Sequence, residues 1–298
     1  MIPGPEQSLN LSEIRVRARG WSEVYRLPFR NRVWRGQAGD AQGAGVGSSL
    51  DFQDHRSYVP GDDPRHINWQ AYARTGQYTM KLFREEVRPM VDLLFDVSES
   101  MFYIPEKAQR AVELFYLVVE ASWRSGAALR THLIWGDRCR SLTDDLLLGD
   151  AWLGEREGLR PEDPAAAPRL SRAPLRANAL RVFVSDLLYA GSPDPLMAAF
   201  AARRGRPVVL APWRREEADP DWSGNYEFID AERGSRHPHR VEPALLRKYR
   251  QAYARHFDMW KEFALKHGIP LARVAAQGGF REALEAEAAR IGAVERWM

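Results

Sequence analysis

The chain has 298 residues, 45% of them apolar, enough to bury a sizeable core in one large domain or two small ones. Its 43 basic and 40 acidic residues leave a formal net charge of only +3, which argues against a nucleic-acid binder with its concentrated basic face. The single cysteine, Cys139, excludes an internal disulfide framework and a thiolate metal cage, and fits a reducing, cytoplasmic setting.

The N-terminal stretch MIPGPEQSLNLSEIRVRARG has no apolar core of the kind a secretory leader carries. Leu11–Leu27 reads as a helix, with Leu11, Ile14, Val16, Val24 and Leu27 apolar among charges and Gly20 as a weak point. The Gly- and Ala-rich Arg35–Ser49 predicts a hairpin or loop. Asp63-Pro64 starts a short helix that ends at Thr75-Gly76, since Asp caps well and Pro suits the first helical position. Thr79–Val87 and Met90–Val97 read as strands around an Arg88-Pro89 turn. The second is almost wholly apolar, as a strand buried on both faces should be.

Beyond it, Lys107–Arg124 is a helix, Leu129–Trp135 a strand, and Arg138–Leu142 a candidate partner for that strand. Gly154–Asn178 is loop-like, with no strand pattern. Leu180–Ser185 is a buried strand, Asp194–Arg204 a helix, Pro207–Trp213 a strand and Tyr226–Asp230 a short edge strand. Pro243–His267 is a long helix, Pro270–Val274 a strand and Phe280–Arg290 a closing helix. No apolar run reaches the ~20 residues of a membrane span, so none is expected. Strands alternating with helices predict an α/β fold, a mainly parallel sheet with helices on both faces. The expected division is an N-terminal module over 1–88 and an α/β domain over 89–298.

Two buried strands end in a carboxylate, at Asp96 and Asp186. In open parallel sheets ligands bind beyond the carboxyl ends of the strands. The first strand runs on as Asp96-x-Ser98-x-Ser100 into a helix, and alternate residues of extended chain point to one side. Two carboxylates balance a divalent charge, and hydroxyls supply neutral oxygens. This set suits Mg²⁺ or Mn²⁺, which take oxygen ligands in an octahedron. Asp96, Ser98, Ser100 and Asp186 are therefore the expected metal ligands.

The pattern Asp-x-Ser-x-Ser at a strand end resembles the metal-ion-dependent adhesion site of von Willebrand factor A domains. Upstream, Asp51-Phe52-x-Asp54-x-Arg56-x-Tyr58-x-Pro60-Gly61-Asp62-Asp63-x-Arg65-x-Ile67-Asn68-Trp69-x-Ala71-x-Ala73-Arg74 resembles the signature of the bacterial "domain of unknown function 58" family. Recognisable motifs run from about Gly45 to Asp186. The resemblance implies a von Willebrand factor A-like (Rossmann-like) domain behind a smaller N-terminal module. It also implies a non-catalytic adaptor or co-chaperone role beside a MoxR-type AAA+ ATPase. The chain departs from the adhesion-site pattern at three places. The only Thr between Trp135 and Leu180 is Thr143, Leu187 stands where Gly usually follows the third-loop Asp, and Glu99 stands where Gly is common.

Two rival readings stand beside this one. A phosphoryl-transfer hydrolase would use Asp96 as its nucleophile, but position 98 is Ser rather than the second Asp that would act as acid and base. A nucleic-acid binder would use Arg and Trp for charge and stacking. Arg56 and Arg65 are expected to pair with Asp54 and Asp62, and His237-Pro238-His239 to lie in a polar loop. Arg138 and Arg140 flank Cys139 and would lower its pKa, although burial leaves a thiol idle.

Overall fold

The computed structural model describes residues 9–29, 51–84, 88–149 and 151–297. It divides into two units, Arg32–Arg88 and the remainder. In chain order the helices are α1 (Leu11–Trp21), α2 (Trp69–Thr75), α3 (Glu99–Phe102), α4 (Pro105–Arg124), α5 (Asp144–Leu148), α6 (Asp194–Ala201), α7 (Arg215–Ala218), α8 (Pro243–Lys266) and α9 (Phe280–Ala283). The first six strands are β1 (Tyr25–Arg26), β2 (Asp51–Ser57), β3 (Thr79–Arg84), β4 (Met90–Asp96), β5 (Ala128–Trp135) and β6 (Arg138–Leu142). They are followed by β7 (Leu180–Val184), β8 (Arg206–Trp213), β9 (Gly224–Ile229), β10 (Arg236–Val241), β11 (Leu271–Ala275) and β12 (Glu295–Arg296).

The larger unit is built on a six-stranded sheet in the order β11-β8-β7-β4-β5-β6, parallel except for β6, which runs antiparallel to β5. Side chains alternate across it. Leu94, Phe183 and Val209 join α6 and α8 in one core through Phe200, Phe257 and Trp260. Phe95 faces the other way, with its ring 4.9 Å from Phe115 of α4 and 5.7 Å from Trp152. Helices therefore cover both faces, as the apolar strand pattern predicts. The 3₁₀ segment Trp152–Leu159 is anchored by Trp152, which stacks on Phe115 at 4.3 Å and donates its indole N–H to the Tyr116 hydroxyl at 2.8 Å.

The smaller unit pairs β2 with β3 antiparallel, with an irregularity between Phe52 and Asp54. Pro64–His66 forms a 3₁₀ turn capped by Asp63, and Asn68 then caps α2. Gly76, at φ 70°, ends α2 in the left-handed conformation that glycine takes without strain. Arg56 forks onto Asp62 at 2.6 Å, and Arg65 pairs with Asp63 rather than with Asp62. Tyr72 and Tyr78 stack at 4.4 Å.

Several elements differ from expectation. The helix from Leu11 stops at Trp21, so Val24 and Leu27 lie beyond it. α1 and β1 belong to the larger unit, whereas the expected division put residues 1–88 in one module. Arg15 reaches the buried Glu120 of α4 at 3.0 Å, Tyr25 donates to Glu285 at 2.6 Å, and β1 pairs with β12. These partners lie far along the chain, where periodicity says nothing. Tyr226 does not join the main sheet: β9 pairs only with β10 in a separate hairpin. His237 and His239 sit in β10 of that hairpin, not in a loop. The stretch Arg35–Ser49 and residues 85–87 lie outside the described residues. Among the described residues no helix is long and apolar enough to cross a membrane.

Candidate metal centre

The chain passes from β4 through α4 to β5 on one side, then returns to β7 on the other side of β4. That makes the β4–β7 junction the switch point of the sheet, where a crevice opens beyond the strand ends. The two strands are parallel and in register from Val91↔Leu180 to Phe95↔Val184. Asp96 and Asp186 thus leave the same edge side by side. Asp96, Ser98, Ser100 and Asp186 all line one cavity there, together with Tyr189 and Glu232. Thr143 does not; it precedes α5 as its N-terminal cap residue, beyond β6.

The loop after β4 is tightly fixed. One Asp96 oxygen accepts the Ser98 N–H at 3.0 Å, and the other accepts the Ser185 hydroxyl at 2.6 Å. Burial first, then the charge on Asp186, push the Asp96 carboxyl up to about 7. Ser98 occupies the cap position of α3, yet its hydroxyl makes no capping bond and lies 3.3 Å from the Ser100 hydroxyl. The capping is done from a distance. The Glu232 carboxylate, on the turn between β9 and β10, accepts the Glu99 N–H at 3.1 Å and the Ser100 N–H at 2.9 Å. Ser98 and Ser100 line the cavity, with their hydroxyls within hydrogen-bonding reach of Asp96 and Glu232 respectively.

Asp186 accepts the Leu188 N–H at 3.0 Å and the Lys107 ammonium at 2.7 Å, and Lys107 also reaches Glu217 at 2.8 Å. Burial works against the Lys107 charge, but Asp186 and Glu217 outweigh it and hold the ammonium above the usual lysine range. Lys107 thus neutralises part of a carboxylate-rich region, since Asp230 and Glu232 line the cavity together with Asp96 and Asp186. Among the described residues no group of three or more His, Cys, Asp and Glu is placed to hold a metal ion. The oxygen donors lining this cavity are the carboxylates of Asp96, Asp186, Asp230 and Glu232 and the hydroxyls of Ser98, Ser100 and Tyr189, a hard-oxygen set with no soft or imidazole donor.

Leu187 adopts φ 60°, the left-handed conformation that glycine usually supplies after such an Asp. Its N–H reaches the Ser185 hydroxyl at 3.1 Å and its carbonyl accepts from His256 Nε2 at 2.8 Å. The backbone shape is kept although the glycine is not. Glu99 takes Arg156 at 2.5 Å and Arg160 at 2.9 Å, so the position where glycine is common serves as a clasp for the segment after Trp152. Arg156 also donates to the Val97 carbonyl at 2.7 Å and lies over the Phe102 and Trp135 rings; burial pulls its pKa down to about 10.

Sequence reasoning missed Lys107, Glu232 and Tyr189. Lys107 carries a usable signal, a charge on the stripe it shares with Ala111 and Leu114, one and two turns further along α4. Glu232 lies far from the loop in sequence and carries none.

Fold and cavity together define a mixed α/β protein with paired carboxylates at the switch point of a mostly parallel sheet. Residues 54–141, from inside β2 to inside β6, match the family described as "Protein of unknown function DUF58", which supports the resemblance read from Asp51–Arg74. No curated protein matches the chain. A solved aerotolerance-related membrane protein from Bacteroides fragilis NCTC 9343, with multiple mutations to serines, is 15% identical. The likeness covers 68% of this chain and 98% of that one, with a TM-score of 0.34. The conserved hypothetical protein BatB from Bacteroides thetaiotaomicron is 14% identical over 68% of this chain and 98% of its own, with a TM-score of 0.35.

Proposed function

We propose that the larger unit is a von Willebrand factor A-like domain that binds Mg²⁺ or Mn²⁺ through Asp96, Ser98, Ser100 and Asp186. It uses the ion to hold an acidic group of a partner protein. The observation that supports this most is the convergence of all four residues on one cavity at the switch point. The excess of carboxylates over cations around the cavity agrees with it. Neutral hydroxyls leave a bound ion electrophilic and able to accept one outside carboxylate. The role is that of an adaptor rather than an enzyme. The partner implied by the family resemblance is a MoxR-type AAA+ ATPase, met in the cytoplasm.

Thermal melting with and without metal tests the reading. Ligand that binds only the folded state stabilises it by about 2.7 kcal/mol at a hundredfold excess over Kd. Mg²⁺ or Mn²⁺ should raise the melting midpoint of the wild type, and Asp96→Ala should abolish the rise. Equal shifts in both proteins would place the metal elsewhere. No shift in either would leave Lys107 as the only cation of the cluster and the cavity as a closed ion-pair site. Hydrolysis of p-nitrophenyl phosphate that is lost in Asp96→Asn would favour the phosphoryl-transfer reading instead.

A further inference from the structure

Tyr189 stands three residues after Asp186, beyond the left-handed turn at Leu187. Its ring meets the Trp260 ring of α8 edge-on, with centroids 5.8 Å apart and an interplanar angle of 88°. That contact and the fixed Leu187 turn leave the ring little freedom. The hydroxyl is buried and has no hydrogen-bond partner. Buried tyrosine hydroxyls normally find one, because desolvating the group without a partner is costly. The Ser185 hydroxyl lies close enough to act on the phenol, but it is committed to Asp96 and to the Leu187 N–H.

The orphaned hydroxyl borders the same cavity as the four expected ligands. Burial, then the charges of Asp96 and Asp186, raise its pKa above the ordinary tyrosine value, so both carboxylates lie within electrostatic reach of the hydroxyl. A cation would take a lone pair of the phenol oxygen and leave its O–H able to donate to a carboxylate. The Asp96 oxygens accept from Ser98 and Ser185, and the Asp186 oxygens from Leu188 and Lys107, which leaves lone pairs on each carboxylate. A cation between the carboxylates and the phenol would use the oxygen lone pairs that point into the cavity.

We infer that the Tyr189 hydroxyl is a fifth protein oxygen for the divalent ion, supplied by the chain after Asp186 where no Thr reaches the cavity. The inference rests on the metal-site reading above and adds to it a ligand outside the Asp-x-Ser-x-Ser loop. It explains three features that are otherwise unconnected. They are the unpartnered hydroxyl, the strained turn that aims it, and the absence of Thr143 from the cavity.

The test is Mn²⁺ titration of the full chain, read as free Mn²⁺ by electron paramagnetic resonance, for wild type, Asp96→Ala and Tyr189→Phe. Phenylalanine keeps the ring on Trp260 and removes only the oxygen. Tyr189→Phe is expected to weaken Mn²⁺ binding at least tenfold. Without metal it should melt at or slightly above the wild-type temperature, since an unsatisfied buried hydroxyl is gone. A purely packing role for Tyr189 would move neither quantity. Wild-type affinity in Tyr189→Phe, with binding lost in Asp96→Ala, would overturn the inference and leave the four-ligand site standing. No binding by the wild type, or equal binding by wild type and Asp96→Ala, would overturn both. A lower metal-free melting temperature in Tyr189→Phe would show that the hydroxyl already has a structural partner, and would overturn the inference as well.

Discussion

Leu187 holds a backbone conformation that costs an ordinary L-residue about 1–2 kcal/mol, and its side chain is fully buried in the core shared with α6 and α8. The burial explains how the strain is tolerated: truncating a buried Leu costs about 2–5 kcal/mol, more than the turn does. The two effects separate by mutation. Both Leu187→Ala and Leu187→Gly lose the side chain, but only glycine relieves the turn. Elsewhere Ala is the better of the two by about 0.5–1 kcal/mol in regular structure. At this position the order should reverse, with Leu187→Gly the more stable in urea denaturation. Leu187→Ala matching or exceeding it would mean that the turn is not strained. Cys139 makes the opposite point about local sequence. Its arginine neighbours suggest a lowered pKa, yet Arg138 and Arg140 are exposed in β6 and burial pushes the thiol up to about 11. Alkylation by iodoacetamide at pH 8 is expected to be far slower than for a free thiol, and to accelerate as pH approaches 11. Fast labelling at pH 8 would contradict this.

At the scale of elements, the strands and helices of the sheet were legible because each carries its own periodicity. MVDLLFD reads as buried on both faces, and β4 is buried from Val91 to Asp96. That Asp96 and Asp186 share one cavity was legible because parallel strands carry their carboxyl ends to a common edge. What was not legible lies in contacts between distant segments. α1 joins the larger unit, and its buried Ile14 and Ala18 do not by themselves say which surface they cover. β9 pairs with β10 rather than with an edge of the main sheet, since an isolated strand pattern does not name its partner. The C-terminal closure is of the same kind. Glu285 gathers Tyr25, Arg281 and Arg296, joining the end of the chain to the segment after α1. Hydrogen bonds from Tyr25, then from Arg281 and Arg296, hold its carboxyl down at about 2. A depressed carboxyl contributes stability that is present above its unfolded value of about 4.3 and is lost as pH falls through the folded value. The melting temperature of the wild type should therefore fall between about pH 4.3 and pH 2 more steeply than that of Glu285→Gln. Parallel curves for the two proteins would show that Glu285 is not engaged.

The whole molecule places its two chemistries in separate units. The carboxylates and serines belong to the larger unit, and the exposed aromatics Trp69 (58% exposed) and Tyr78 (48%) belong to the smaller one. One metal–carboxylate contact is far too small to define a partner, since a specific interface buries about 1,600 Å². Tryptophan and tyrosine are the residue types that most often carry binding energy at such interfaces. If the proposed adaptor role holds, the two units should fail independently when probed. Trp69→Ala with Tyr78→Ala should cut recovery of a MoxR-type ATPase from lysate of the native host by tenfold or more. The Mn²⁺-induced rise in melting temperature should stay at its wild-type value, because no metal ligand has changed. Asp96→Ala should do the reverse to the melting shift and also weaken recovery, as should chelation. Chelation-sensitive recovery that survives the double aromatic substitution would assign the contact to the larger unit alone. Recovery lost on aromatic substitution but indifferent to chelation and to Asp96→Ala would detach the partner from the metal, and leave the carboxylate pair to be explained by Lys107.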